Sequence, residues 1–117
     1  MQLVDSSHKI NNLMLDGMAE KMFGSLVKAV VDVEKRVMVI DAGLHSDQEQ
    51  YLLSTGSKQK NLWGINLHPG LFGTPDYIEY DSMINIRPHE NNMTKYVQDE
   101  HIRLTITNIV KELTIDI

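Results

Sequence analysis

A chain of 117 residues with 42% hydrophobic and 23% charged residues has the length and balance of one globular domain, too short for two cores and too apolar to stay disordered. Its net charge of −5 argues against a phosphate-backbone footprint, and the absence of cysteine excludes disulfide scaffolds, thiol nucleophiles and thiolate zinc sites. No apolar run is long enough to span a bilayer, and the first residues lack the basic start and apolar stretch of a signal peptide, so the expectation is a soluble, unprocessed, cytoplasmic protein.

Leu3-Val4 gives a short apolar start. Asp5-Ser6-Ser7 then offers N-cap oxygens, and Ile10, Leu13, Met14, Met18 and Met22 recur at helical spacing up to Gly24, which predicts an amphipathic helix over 7–23. The β-branched runs Leu26 to Val33 and Val37 to Ala42, joined by Glu34-Lys35-Arg36, predict a hairpin. Ser46-Asp47-Gln48-Glu49 matches the capping-box pattern, so a helix over 47–55 should follow, closed by Gly56 in the left-handed conformation. Strands over 61–67 and 77–87 flank the breaker-rich loop Pro69 to Pro75 and predict a second hairpin. From Asp99 onward two patterns compete. Ile102, Leu104 and Ile106 alternate with Arg103, Thr105 and Thr107 as in a strand, whereas Ile102, Ile106, Ile109, Val110 and Leu113 fall at helical intervals; length and the later spacing select a helix capped by Asp99. His89 to Lys95, polar and rich in Asn, is the weakly ordered candidate. The order β-α-β-β-α-β-β-α describes a single α+β domain over 1–117, its helices packed on one face of a largely antiparallel sheet.

Polar residues inside apolar runs are where chemistry is to be sought, because an unpaired buried polar group costs about 1–3 kcal/mol. Along the strand after Gly56, alternation puts Gly64, Asn66 and His68 on one side and Trp63, Ile65 and Leu67 on the other. In the next strand Asp81, Asn85 and Arg87 share a face, opposite Ser82, Ile84 and Ile86. If these strands pair, Asn66 meets Asn85 or Arg87, whose fork suits a carboxylate or phosphate; the plainer alternative is an Arg87–Asp81 or Arg87–glutamate pair on a solvated face. Asp41, His45 and Asp47 stand where a strand meets a helix start. They suit either a base or divalent-metal site, or an Asp against the helix dipole beside a turn His. Gly56-Ser57-Lys58-Gln59-Lys60 has the donors of an anion nest but not the spacing of a phosphate loop, and a helix C-cap followed by a solvated loop explains it better. The five histidines show no paired zinc spacing, Ser82 has no visible base, and no metal or cofactor is predicted.

Leu26-Val27-Lys28-Ala29-Val30-Val31-Asp32, the turn Leu44-His45-Ser46-Asp47, Gly56-Ser57-Lys58-Gln59, Asn61 to Leu67 and Asp81 to Pro88 together resemble a small prokaryotic family known only as a domain of unknown function. The resemblance covers residues 23–113 and implies relatives, but no reaction, cofactor or catalytic residues. The chain departs from that pattern at His68, where Tyr is expected, and at Asn91-Asn92-Met93, where a basic residue is expected after Asn. The functional expectation is a small binding or interaction module, self-associating or docking a protein partner. The strands carrying Trp63, Asn66, Asn85 and Arg87 form its recognition face, with Gln59, Ser82, His45 and Asp47 as further binding residues. The alternatives are an enzyme acting on an anionic small molecule through His45 or Asp47 and Arg87, and a nucleic-acid accessory protein using Lys58, Lys60, Arg87 and Lys95.

Overall fold

β-branched residues favour strands because their stiff side chains pack on a pleated surface, and here they assemble the centre of a sheet. The computed structural model describes residues 1–115. Its strands are β1 (Gln2–Val4), β2 (Ile10–Asn11), β3 (Val27–Asp32), β4 (Val37–Ile40), β5 (Leu62–Leu67), β6 (Ile78–Glu79) and β7 (Thr114–Ile115), and its helices are α1 (Asn12–Met22), α2 (His45–Ser54) and α3 (Glu100–Leu113). Five strands form one antiparallel sheet in the order β1-β4-β3-β5-β6, with Ala29 of β3 opposite Ile40 on one side and Ile65 on the other. The α+β class and the hairpin around Glu34-Lys35-Arg36 therefore form as expected. Among the described residues no helix is long and apolar enough to cross a membrane.

Period-two alternation splits the core. Val27, Ala29, Val31, Met38, Ile40, Ile65 and Leu67 face Leu15 and Ala19 of α1 and Ile106, Ile109, Val110 and Leu113 of α3. Val30, Val39 and Leu62 point the other way and meet Leu52 of α2. Two helices thus share one face and α2 covers the other, because Val30 and Val39 give the second face an apolar strip of its own.

Several boundaries differ from the sequence reading. Residues 5–8 form a tight turn in which Asp5 Oδ1 accepts the Ser7 N–H at 2.9 Å, so this carboxylate caps a turn rather than a helix. Helix α1 begins only at Asn12, where Asn11 Oδ1 accepts the Met14 N–H at 2.8 Å. Its buried stripe is Leu15 and Ala19, and Leu13 is left 73% exposed. The reason is that Ile10-Asn11 pairs in parallel with β7, a strand neither periodicity signalled. The Ser46–Glu49 capping box does not form: α2 starts at His45, its N-cap is Leu44, and no side chain caps it. A left-handed Asp41 (φ +63°) turns the chain early, and Glu49 is drawn toward Arg87 and Gln59 instead. The C-terminus follows expectation. Gly56 (φ +100°) lets the Gly56 and Ser57 N–H groups reach the carbonyls of Leu53 and Leu52, closing a Schellman cap.

The expected strand 77–87 shrinks to β6, after which short helical turns at Met83–Asn85 and Pro88–Glu90 take over. Ser and Asn side chains compete with ladder hydrogen bonds here: Ser82 Oγ accepts the Ile84 N–H, and Pro88 has no N–H to offer. The polar stretch after it is tied down by one side chain. Asn92 Nδ2 faces the carbonyls of Asn85, Thr94 and Tyr96 at 2.7–2.9 Å, and its Oδ1 accepts the Gln98 N–H at 2.9 Å.

Candidate functional site

β5 carries the site because its two edges are treated differently. Toward β3 it is paired from Leu62 to Leu67, but toward β6 it is paired only at Asn66 and Leu67, leaving the Gly64 backbone to find another partner. Asn85 supplies it: Oδ1 accepts the Gly64 N–H at 2.8 Å, and Nδ2 donates to the Gly64 carbonyl at 2.9 Å and the Lys95 carbonyl at 2.9 Å. Gly64 has to be glycine here, since a Cβ would stand 2.5 Å from Ser82 Cβ. Asn85 is fully buried, and every polar atom of its side chain is used by backbone.

Asn66 is only 6% exposed. Its Nδ2 donates to Glu79 Oε1 at 2.9 Å and lies 3.3 Å from the Asp81 carbonyl; two acceptors fix the amide orientation. Its Oδ1 is buried with no partner among the described residues. The Asn66 bond, ahead of the His68 ring whose Nε2 lies 3.2 Å from Glu79 Oε1, holds the Glu79 carboxyl below its ordinary range.

His45, the first residue of α2, turns inward and donates from Nε2 to the Ile65 carbonyl at 2.7 Å. Burial pushes its pKa down; the Ile65 bond opposes, the Lys28 charge adds to the fall, and Asp81 opposes it. The ring is thereby kept neutral at pH 7 with the proton on Nε2, and Nδ1 carries a lone pair. Beside it, Gln48 Nε2 donates to the Lys28 carbonyl at 2.8 Å, one residue past the end of the β3–β4 ladder. Lys28, His45, Ser46, Asn66, Ser82 and Lys95 come together around a cavity of about 240 Å³ between α2, β5 and the Met83 turn, with Asp81 on the same wall, so that two ammonium groups face one carboxylate there.

Arg87 belongs to a different cluster and is 3% exposed. Its guanidinium stacks 4.1 Å from the Trp63 ring centre, donates from Nη1 to the Gln59 carbonyl, and brings Nε to 3.2 Å from Glu90 Oε2, near enough to pair in charge but not aligned for a hydrogen bond. The carboxylates that face it are Glu90 and Glu49. Asp81 is not among the groups that face it, because the residues between them turn instead of running straight. Burial lowers the Arg87 pKa while Glu90 and Glu49 resist, and burial raises that of Glu49 while Arg87 and Gln59 resist. A buried Arg87 adds nothing to a surface basic patch with Lys58 and Lys60.

The structure therefore separates the sequence's candidates. His45, Asn66 and Ser82 meet at one cavity; Trp63, Gln59 and Arg87 meet at another place; Asn85 staples the two. Asp47 is exposed on the first turn of α2, apart from both. Among the described residues no three His, Asp or Glu side chains come together to hold a metal ion, so Asp41, His45 and Asp47 do not converge. Ser57 serves the C-cap and donates to Asp32 Oδ2 at 2.7 Å. The sequence reading passed over Lys28, Lys95 and Glu49 in these roles. Glu49 carried a signal that was spent on the capping box; Lys28 carried none, since a charged residue on an alternate strand position looks like a solvated face; and Lys95 was read only as part of a basic surface patch.

No curated protein and no solved structure matches the chain. A family model does match, over residues 3–113 and so across nearly the whole domain; the chain belongs to the family described as Protein of unknown function (DUF5674).

Proposed function

We propose that the protein is a small binding module whose ligand is an anionic metabolite carrying its own hydrogen-bond donor, such as a short hydroxy or amino acid, held in the cavity around Asn66. The carrying observation is Asn66 Oδ1, buried without a partner at the edge of that cavity: a lost hydrogen bond of this kind costs about 1–3 kcal/mol, and a ligand hydroxyl or ammonium offsets it. Lys28 and Lys95 supply positive charge for the carboxylate, and Ser46 and Ser82 supply hydroxyls. At about 240 Å³ the cavity is smaller than the usual small-molecule site and takes a ligand of only a few heavy atoms.

One observation favours an enzymatic version of this reading. His45 is neutral, fixed in one tautomer by Ile65, and lines the same cavity, which is what a general base needs. The test is a nuclear magnetic resonance titration of glycolate, lactate, glycine, serine and acetate against the wild type and the Lys28→Met/Lys95→Met double variant. The reading predicts saturable shifts at residues 44–46, 66 and 82 with hydroxy or amino acids, weaker binding of acetate, and affinity reduced roughly ten-fold or more in the double variant. Absence of saturable shifts from every compound overturns it.

A further inference from the structure

A second cavity, of about 650 Å³, lies on the opposite side of β6, between the 72–80 segment and the C-terminal turns of α3. Its walls are largely apolar: Phe72, Ile78, Val110 and the Tyr80 ring, with Phe72 set edge-on to Tyr77 at 5.1 Å. The polar groups along it divide into two kinds. Thr74 Oγ1 donates to the Leu71 carbonyl and accepts the Asp76 N–H, and the Tyr80 hydroxyl is committed to Thr107 Oγ1 and the Arg103 carbonyl. Tyr77 OH and Thr114 Oγ1, by contrast, are buried and face each other, near enough for Thr114 to act on the phenol but not aligned for a hydrogen bond, and neither has another partner among the described residues; Tyr77 as a residue is only 7% exposed. Lys111 stands at the same wall.

We propose that this cavity binds a molecule with an apolar body and a single carboxylate, the carboxylate accepting from the Tyr77 and Thr114 hydroxyls beside Lys111. Two adjacent buried hydroxyls can both turn their hydrogens to one acceptor, and Lys111 beside them favours a negatively charged one, while the surrounding ring faces and aliphatic carbons leave no polar partner for the rest of the ligand. The volume lies inside the usual range for small-molecule sites. Burial pushes the Tyr77 phenol up to about 12, against a smaller opposing effect of Thr114, so the phenol keeps its proton at any physiological pH. The site uses no residue of the polar cavity around Asn66, so either stands without the other.

Octanoate is the probe, with 1-octanol, octylammonium and acetate as comparisons, titrated into the intact chain by calorimetry and by nuclear magnetic resonance with methyl detection. Octanoate is expected to bind saturably, with intermolecular contacts to the methyls of Ile78 and Val110. Octanol and octylammonium should bind about ten-fold or more weakly, and acetate not measurably. Tyr77→Phe keeps the shape and loses the donor, and Lys111→Gln loses the charge; each should weaken octanoate while leaving octanol unchanged. The proposal is overturned if octanoate does not saturate, if its contacts map elsewhere, or if octylammonium binds as well as octanoate. Because the contact map is read on the wild type, the outcome stands even if a variant folds poorly.

Discussion

Asn85 completes the sheet with a side chain: its amide pairs with both the N–H and the carbonyl of Gly64, at 2.8 and 2.9 Å, in the place a neighbouring strand would occupy. Replacing Asn85 by Ala strands two buried backbone groups. The expected cost is about 2–4 kcal/mol, and Asn85→Asp should cost as much because it sets an acceptor against the Gly64 carbonyl. Urea denaturation at pH 7 measures both; a loss under half a kilocalorie in each would show that water serves Gly64 as well.

The same docking makes Gly64 and Ser82 interdependent. Gly64→Ala puts a Cβ 2.5 Å from Ser82 Cβ and should destabilise by about 1–3 kcal/mol, since a packed site has nowhere to move. Ser82→Gly removes the two nearest opposing atoms and leaves Ile84 Cγ1 at 3.1 Å, so the double variant should be more stable than the sum of the single changes implies. A thermodynamic cycle over the four proteins checks the coupling; simple additivity would contradict the packing described.

Glu49 should behave opposite to an ordinary ion-pair partner. Its folded pKa is raised above the ordinary 4.5, chiefly by burial, so its favourable contribution is present below that value and is lost as pH rises through the folded pKa. Glu49→Gln is therefore expected to melt higher than wild type at pH 7, with the gap closing under acid conditions. Melting curves from pH 3 to 8 decide it, and a lower melting temperature for Glu49→Gln at pH 7 would mean that attraction to Arg87 wins.

His45 has the reverse sign for a base. Its folded pKa is depressed below 6.5, so the unfolded chain takes up the proton first, and stability present above pH 6.5 is lost as pH falls through that range. His45→Gln, which can still donate to Ile65, should flatten the pH dependence of the melting temperature between pH 5 and 7. Equal slopes in the two proteins would remove His45 as the titrating group.

Asp32 joins the hairpin tip to the end of α2. Its Oδ1 accepts the N–H groups of Glu34 and Lys35, each at 2.9 Å, and its Oδ2 accepts the Ser57 hydroxyl at 2.7 Å. Asp32→Ala should cost about 2–4 kcal/mol and speed amide exchange at both Lys35 and Ser57, whereas Ser57→Ala should affect only the second. Hydrogen exchange at these two amides distinguishes the cases.

What the chain determined locally was whatever one segment can settle alone. The β-branched runs around residues 27–40 and the buried strand 62–67 became strands, and Gly56 ended its helix, because stiff side chains and a left-handed backbone act within a few residues. At residues 100–113 the 3.6-residue spacing prevailed over the alternating one, since only a helix buries Ile106, Ile109, Val110 and Leu113 together. The start of α1 and the fates of Glu49 and Asn85 were decided by partners distant in sequence: β7 for Ile10, Arg87 for Glu49, Gly64 for Asn85. The site followed the same division. Periodicity marked Asn66 and Arg87, and the spacing of Asp41, His45 and Asp47 marked His45, as polar residues needing an explanation, but whether each meets a cavity, a backbone edge or an aromatic face depends on packing between segments 20 or more residues apart, such as His45 with Ile65 and Gly64 with Asn85, which no local pattern encodes.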